Sequence, residues 1–130
     1  MINQVTLVGR LVQDPIIKEV SGGKNVCEIK VALTRPFKNQ QNQYDTDFIK
    51  VAFWEYLAIN INEYFKKGYI IGIRARLQSR NVKINDTLVE VIDVVGENIV
   101  FIGRPNKKVD IKINDVVDNI PIEELDEEVL

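Results

Sequence analysis

The sequence contains no histidine and only one cysteine, Cys27, and both shortages narrow the range of functions. Without histidine the chain lacks the usual catalytic triads, imidazole bases and imidazole metal ligands. A single cysteine can form neither an intramolecular disulfide nor a thiolate cage. Its place in a β-like run predicts a small core residue in a reducing compartment. We therefore expect no catalytic residues, no metal site and no cofactor.

Long apolar runs are also missing. No window holds about 18 consecutive apolar residues, so no transmembrane helix and no membrane partner are expected. The N-terminus enters a strand pattern directly, without the basic and apolar regions of a signal peptide, which predicts a cytoplasmic protein. A hydrophobic content of 45% over 130 residues fits one globular domain with a tail.

The charge is distributed unevenly along the chain. Residues 1–108 contain 16 Lys and Arg against 11 Asp and Glu, a net charge of +5. Residues 109–130 contain 1 against 8, a net charge of −7, so the overall −2 conceals a basic body and an acidic C-terminal segment. We expect a domain over residues 1–104 and a flexible acidic tail over residues 105–130.

The hydrophobic pattern predicts three strands, then one helix, then a fourth strand followed by two β-like runs. The helix follows from apolar residues at spacings of three and four, and Arg35–Asp45 and Asn81–Asp86 are predicted as loops. The predicted fold is all-β with one helix, a five-stranded OB-fold barrel plus an acidic C-terminal tail. The predicted elements are strands Asn3–Val12, Cys27–Leu33, Asp47–Trp54 and Tyr69–Arg80, β-like runs Thr87–Val95 and Ile99–Ile102, and helix Glu55–Lys67.

The third predicted strand carries aromatic rings on the face that is normally polar. Alternation places Phe48, Lys50 and Trp54 on one side and the apolar Val51 and Phe53 on the other. Burial of both faces is the alternative, but a fully buried lysine needs a partner. Rings beside a cation on a sheet offer a surface where bases stack while phosphates are neutralised.

The fourth predicted strand carries three arginines and no acid on one face. Arg74, Arg76 and Arg80 share that side of the strand. A guanidinium suits phosphate oxygens and also stacks on bases. Two interpretations stay open: contact with phosphates, or a solvated face paired with acids of a neighbouring strand, such as Glu90 or Asp93.

Two further segments contain candidate binding residues. Phe37 lies between Arg35 and Lys38 in a predicted polar loop, either to grip a nucleic-acid strand or to fold back onto the barrel. The C-terminus interleaves acids with apolar residues, which fits a solubilising tail or a segment that docks into a basic groove. Its candidate partner-binding residues are Leu125, Asp126, Glu127, Glu128, Val129 and Leu130.

Several short stretches together carry a family resemblance. The most specific is the opening Asn-x-Val-x-Leu-Val-Gly-Arg-Leu, followed by Asp14-Pro15. The others are Asp47 to Val51, Phe65 to Gly68 and Arg76 to Arg80. Over about residues 1–104 the chain resembles the bacterial and phage single-stranded DNA-binding proteins.

The resemblance implies an OB-fold that usually assembles as a homotetramer and binds single-stranded DNA with little sequence preference. It also implies a role in replication, recombination and repair, with partner proteins recruited through the tail. The family's base-stacking aromatics fall on Phe37, Phe48 and Trp54, whereas Val82 stands where a further aromatic is usual. The candidate DNA-binding residues are Arg10, Arg35, Phe37, Phe48, Lys50, Trp54, Arg74, Arg76 and Arg80.

The sequence departs from the family in two more places. Arg74 and Ala75 stand where the family has an acid followed by glycine, so Arg74 rests on alternation alone. The tail lacks the usual long linker and the terminal Ile-Pro-Phe. Two other functions stay open: an RNA-binding OB module, since nothing in the sequence senses a 2′-hydroxyl, and an adaptor that binds chiefly protein.

Overall fold

A computed structural model describes residues 1–104 of the chain, and within that range it contains six strands and one helix. The prediction of an all-β domain with one helix is confirmed. The elements, in chain order, are β1 (Val5–Leu11), β2 (Ile16–Val20), β3 (Lys24–Lys38), β4 (Tyr44–Trp54), α1 (Tyr56–Tyr64), β5 (Ile70–Ile84) and β6 (Thr87–Gly103).

Five of these strands close into a barrel. The sheet runs β1-β5-β6-β4-β3, and β1 pairs with β3 again through Arg10–Ala32 and Leu11–Val31. All pairings are antiparallel except that of β4 with β6, which is parallel at Ala52–Val95. This is the five-stranded Greek-key barrel of the OB-fold. β2 lies outside the barrel as a hairpin partner of β3.

The barrel interior is filled by the apolar face of each strand. Val51 and Phe53 of β4 are fully buried, as are Ile71 and Ala75 of β5, which fits the period of two. Cys27 is fully buried in the same core, as predicted. From α1, the side chains of Ala58 and Ile61 join this cluster, and the helix packs against β2, β3 and β4.

Two glycines allow backbones and rings to approach where the barrel closes. A Cβ on Gly96 of β6 would overlap the ring of Phe53. A Cβ on Gly9 of β1 would overlap the carbonyl oxygen of Ala32 and the side chain of Val31. Because neither position tolerates a side chain without a shift of its neighbours, these glycines fix how closely β6 and β1 wrap around the core.

The strands extend further than the sequence pattern indicates. The predicted loop Arg35–Asp45 consists of the end of β3, a short turn and the start of β4. The predicted loop Asn81–Asp86 is strand except for Asn85 and Asp86, whose φ angles of 50° and 65° fit a two-residue type I′ turn. The two predicted final runs are one strand, with a bulge near Glu97.

The predicted helix is too long and one strand is missing from the prediction. α1 ends at Tyr64, and the extended backbone of Phe65 caps it, so Lys66 and Lys67 follow the helix instead of completing it. Gly68 has a φ of 90° in the turn that comes next. β2 was not predicted, because an exposed edge strand of five residues shows little alternation.

No helix in residues 1–104 is long and apolar enough to cross a membrane. The division near residue 105 and the candidate tail residues Leu125 to Leu130 lie outside the described residues. They remain predictions.

Replacing Gly96 by alanine should destabilise the protein by about 1–3 kcal/mol, because the added methyl group overpacks the Phe53 ring. Urea unfolding followed by circular dichroism measures this change. The matched control is Phe53→Leu. If overpacking is the cause, this substitution is less destabilising in the Gly96→Ala background than in the wild type. Purely additive effects of the two substitutions would contradict the explanation.

Candidate nucleic-acid interface

The two rings of β4 lie on the outside of the barrel. The side chains of Phe48 and Trp54 are 57% and 41% exposed, and Lys50 between them is exposed as well. Val51 and Phe53, which point the other way, are fully buried. The alternative of a strand buried on both faces is therefore wrong, and the mixed face of rings and cation predicted from alternation is present on the surface.

Strand register extends this surface across the neighbouring strands, because residues paired across a sheet share a face. We call it the ring face. Its rows, read from the strand pairing, are Arg10–Ala32–Phe48, Lys30–Lys50, Glu28–Ala52–Val95–Arg76 and Val26–Trp54. β3 and β4 are the second and third strands of the barrel, and in OB-folds that face and the adjoining loops bind oligonucleotides.

The end of β4 is held firmly beneath Trp54. Glu55 follows it with a φ of 56°, a conformation that a non-glycine residue adopts only when its surroundings impose it. Two hydrogen bonds of 2.8 Å fix it to Asn25. The backbone N–H of Glu55 donates to the backbone carbonyl of Asn25, and the backbone N–H of Asn25 donates to the Glu55 carboxylate. The backbone that carries the Trp54 ring is thus tied to the start of β3.

The arginines Arg76 and Arg80 both have acidic neighbours. Arg80 donates from Nε and Nη2 to the two carboxylate oxygens of Asp93. Arg76 lies 3.6 Å from a carboxylate oxygen of Glu97 and donates to Gln78 at 2.7 Å. Arg80 therefore pairs with an acid of the neighbouring strand, Asp93, which is one of the two interpretations left open by the sequence. This pairing does not exclude a contact with phosphate.

Arg35 and Phe37 lie on the outer part of the β3–β4 hairpin. Arg35 donates to both carboxylate oxygens of Asp47 at 3.0 and 2.8 Å, and Asp45 lies 3.6 Å away. Phe37 is 62% exposed near the end of a strand rather than in a loop. It does not fold back onto the barrel. Beside it, Lys38 lies over the ring of Tyr44 at 5.7 Å.

Arg10 and Arg74 have different surroundings. Arg10 is half-buried on β1 in the row that contains Phe48, and its Nη1 donates to the Gly68 carbonyl at 3.3 Å. Arg74 is exposed and pairs with Thr6 and Asn98, at the rim of an apolar depression formed by β1, β5 and β6. The register does not bring Arg74 beside the two rings of β4.

Sequence reasoning passed over two residues of this region. Lys30 alternates outward on β3, but only the register shows that it faces Lys50 directly. Tyr44 is 50% exposed and stacks with Lys38, which the prediction of an irregular loop obscured. The sequence did contain a signal for each residue. Lys30 falls on the outward side in the alternation of β3, and Tyr44 lies an even number of positions before Phe48, on the same side of the strand.

Other chemistry finds no support in residues 1–104. No group of three potential ligands there could hold a metal ion. Asp45 and Asp47 both lie against Arg35. Burial raises the pKa of the Cys27 thiol, although a backbone hydrogen bond at Ile16 acts in the opposite direction, so the thiolate needed for reactivity is disfavoured.

Comparison with known proteins matches this barrel to a defined class. A solved structure described as "Plasmodium falciparum SSB complex with ssDNA" superposes with a TM-score of 0.67 at 21% identity, covering 78% of this chain and 96% of that one. At this identity the likeness supports the fold alone. It agrees with an OB-fold barrel.

The sequence comparisons are more specific. The Single-strand binding protein family model matches residues 2–102. The single-stranded DNA-binding protein of Oceanobacillus iheyensis is 39% identical over 103 residues, which cover 78% of this chain and 64% of that relative. Single-stranded DNA-binding protein 2 of Listeria monocytogenes is 37% identical over 111 residues, or 85% and 69% of the two chains. The chain belongs to the single-strand binding protein family.

The matched region covers 64% of the length of the Oceanobacillus iheyensis relative, which is less than two thirds.

The Arg35–Asp47 pair predicts a measurable titration shift. The hydrogen bond from Arg35 lowers the pKa of the Asp47 carboxyl, against a smaller opposing effect of desolvation. Arg35→Gln should return this pKa to the ordinary range, whereas Lys38→Gln, which removes a nearby charge without touching Asp47, should leave it low. A carbon-detected NMR titration of the carboxyl measures both.

The sign of the accompanying stability effect follows from the lowered pKa. The contribution of the pair to folding is complete above the unfolded-state pKa of Asp47 and is lost as the pH falls through the lower folded-state pKa. Arg35→Gln should therefore flatten the stability profile in that acidic window. An Asp47 pKa that is the same in wild type and Arg35→Gln would contradict the assignment.

Proposed function

We propose that this protein binds single-stranded DNA with little sequence preference, in a non-enzymatic role. The observation that carries the proposal is the ring face, where Phe48 and Trp54 are exposed on one strand with Lys50 between them. Family membership supports it, as do the relatives named as single-stranded DNA-binding proteins. Phe37 supplies a third exposed ring at the end of the hairpin.

The two rings of β4 suit an unpaired strand. Trp54 lies six positions after Phe48, or about 20 Å along the strand at 3.4 Å per residue. Bases in a duplex are stacked on one another and paired, so their faces are not available to protein rings. An unpaired strand can turn its bases onto the rings, each stack being worth about 1–3 kcal/mol whatever the base.

The cations of the face would hold phosphates. Arg76 and Arg80 lie in exposed ion pairs with Glu97 and Asp93. Such exposed pairs contribute little to stability because solvent screens them, so a phosphate can displace the carboxylate at little cost. Arg35 forms a similar exposed pair with Asp47, on the side of the hairpin opposite Phe48. Arg10 and Arg74 remain candidates, the first in the row of Phe48 and the second away from the rings.

We further propose that the chain assembles with copies of itself, as a homotetramer. Val8, Val100 and Ile102 form part of an apolar depression on the outer face of β1, β5 and β6. Among the described residues, β1 pairs with β3 only at Arg10 and Leu11, so the edge from Val5 to Val8 has no strand partner on that side. An unpaired edge beside an apolar face favours a second copy of the same chain.

The wider roles follow from the same proposal. The protein would coat and protect single strands during DNA replication, recombination and repair, in the bacterial cytoplasm at the nucleoid, or in the host cytoplasm if a phage encodes it. Replication and repair proteins would be recruited through the acidic tail, with Leu125, Val129 and Leu130 as apolar anchors among the acids. Deleting residues 109–130 should remove such partners while leaving affinity for the strand equal or higher.

Oligo-dT should quench the intrinsic fluorescence of Trp54, which is the only tryptophan of the chain, and Phe48→Ala should weaken binding by about 5- to 100-fold through loss of one base stack. The affinity should fall as salt rises because phosphate contacts release counterions. Fluorescence titration at several salt concentrations measures all three effects. Tyr64→Ala, an exposed aromatic of α1, is the control.

Binding demonstrated by another method without quenching would refute stacking on Trp54. Tight binding of duplex DNA would contradict the proposal as a whole. Competition between DNA and RNA oligomers of matched sequence decides whether the strand is RNA instead. An adaptor that binds chiefly protein would bind neither.

Val100→Asp should break the assembly into smaller species, because it places a charge in the proposed apolar contact. Light scattering coupled to size exclusion measures the mass. The matched control is Leu88→Asp at the tip of the β5–β6 hairpin, which changes an even more exposed apolar residue outside the depression. Equal masses for wild type and Val100→Asp would contradict the proposed interface.

A further inference from the structure

Two lysines face each other on the ring face. Lys30 of β3 and Lys50 of β4 are direct partners in the antiparallel register, so their side chains leave the same side of the sheet. Cβ atoms in such pairs are about 4.5–5.5 Å apart, and like charges at this distance are destabilising. Among residues 1–104 neither lysine forms an ion pair with an acid. Two like charges thus stand together without a directly paired acid.

The nearest acids do not pair with either lysine. Glu28 is one row away on the same face, Asp93 binds Arg80, and Asp47, on the opposite side of β4, binds Arg35. The pKa of Arg80 is raised mainly by its hydrogen bond and charge contact with Asp93, and Glu28 adds a smaller electrostatic contribution. The lysine row is left as a local concentration of positive charge.

The lysine row also lies on the path between the two rings. Lys50 is two residues from Phe48 and four from Trp54, or about 7 Å and about 14 Å along β4. A single strand whose bases stack on both rings has to carry its backbone across this row. We propose that Lys30 and Lys50 together hold one phosphate of a single strand that spans Phe48 and Trp54. This inference rests on the proposed function and adds Lys30 as a binding residue.

A shared anion explains why the pair is tolerated. In the free protein the two ammonium groups repel each other, while their flexible stems allow them to separate into solvent. A phosphate between them converts the repulsion into two charge-assisted hydrogen bonds. Removing one lysine should therefore have effects of opposite sign: the free protein becomes more stable, and its complex with DNA becomes weaker.

The experiment compares Lys30→Gln, Lys50→Gln and the double variant with wild type in oligo-dT titrations over a range of salt concentrations. Lys30→Gln should weaken binding by about 3- to 10-fold at low salt. The plot of log affinity against log salt should become shallower by about 0.7, the value for one phosphate of a single strand. Because the phosphate is shared, the double variant should lose about 0.7 in total rather than about 1.4.

Lys66→Gln is the matched control. Lys66 is exposed in the segment after α1, outside the strands of the ring face, and its removal changes the net charge by the same amount. It should leave both affinity and salt dependence close to wild type. In the absence of DNA, Lys30→Gln should raise the melting temperature by about 1–4 °C, whereas Lys66→Gln should not.

The possible results separate the alternatives. Wild-type affinity and slope in Lys30→Gln would overturn the inference, and so would equal losses in Lys30→Gln and Lys66→Gln, which would reflect net charge alone. A slope change of about 1.4 in the double variant would mean two separate phosphates. A lower melting temperature for Lys30→Gln would contradict the repulsion. Failure of the wild type itself to bind oligo-dT would instead refute the proposed function and this inference with it.

Discussion

The parallel contact between β4 and β6 is the constraint on which the rest of the structure depends. It joins the two halves of the barrel at Ala52 and Val95, and it requires the ring of Phe53 to occupy the space beside Gly96. With this contact in place, inward positions of β4 are sealed and outward positions are forced to the surface. The same closure brings Arg76 of β5 into the row of Ala52, although 24 residues separate them in sequence.

The faces of the strands could be predicted from the sequence, since a period of two assigns each residue to one side once the strand is recognised. Phe48, Lys50 and Trp54 were assigned to the outside on this basis, and the structure agrees. Register could not be predicted in this way, because alternation within a strand carries no information on which residue of the next strand lies opposite. Lys30 opposite Lys50 and Asp93 beside Arg80 are both consequences of register.

Errors in the predicted elements have a common physical origin. Hairpin arms that extend beyond the core lose the apolar face that marks a strand, so polar stretches such as Arg35 to Lys38 look like loops. Strand pairing on either side of this stretch, at Thr34–Thr46 and Lys38–Tyr44, nevertheless keeps the chain extended. At the helix, Lys66, Lys67 and Gly68 resembled a helix end, but the chain leaves the helix at Phe65 and the glycine serves a separate turn. Lysines followed by glycine are typical of a helix C-terminus, but here the helix ends before them.

The two hydrogen bonds between Asn25 and Glu55 bear on the energetics of recognition. They hold the chain at the point where β4 ends, in a positive-φ conformation that a mobile segment would not maintain. The indole of Trp54 is therefore attached to a platform that is already ordered before any ligand arrives. Ordering a flexible group on binding opposes association by about 0.5–1.5 kcal/mol per side chain. If Trp54 stacks on a base as we propose, the backbone at this point needs no further ordering, and only the rotamer of the indole has to be fixed.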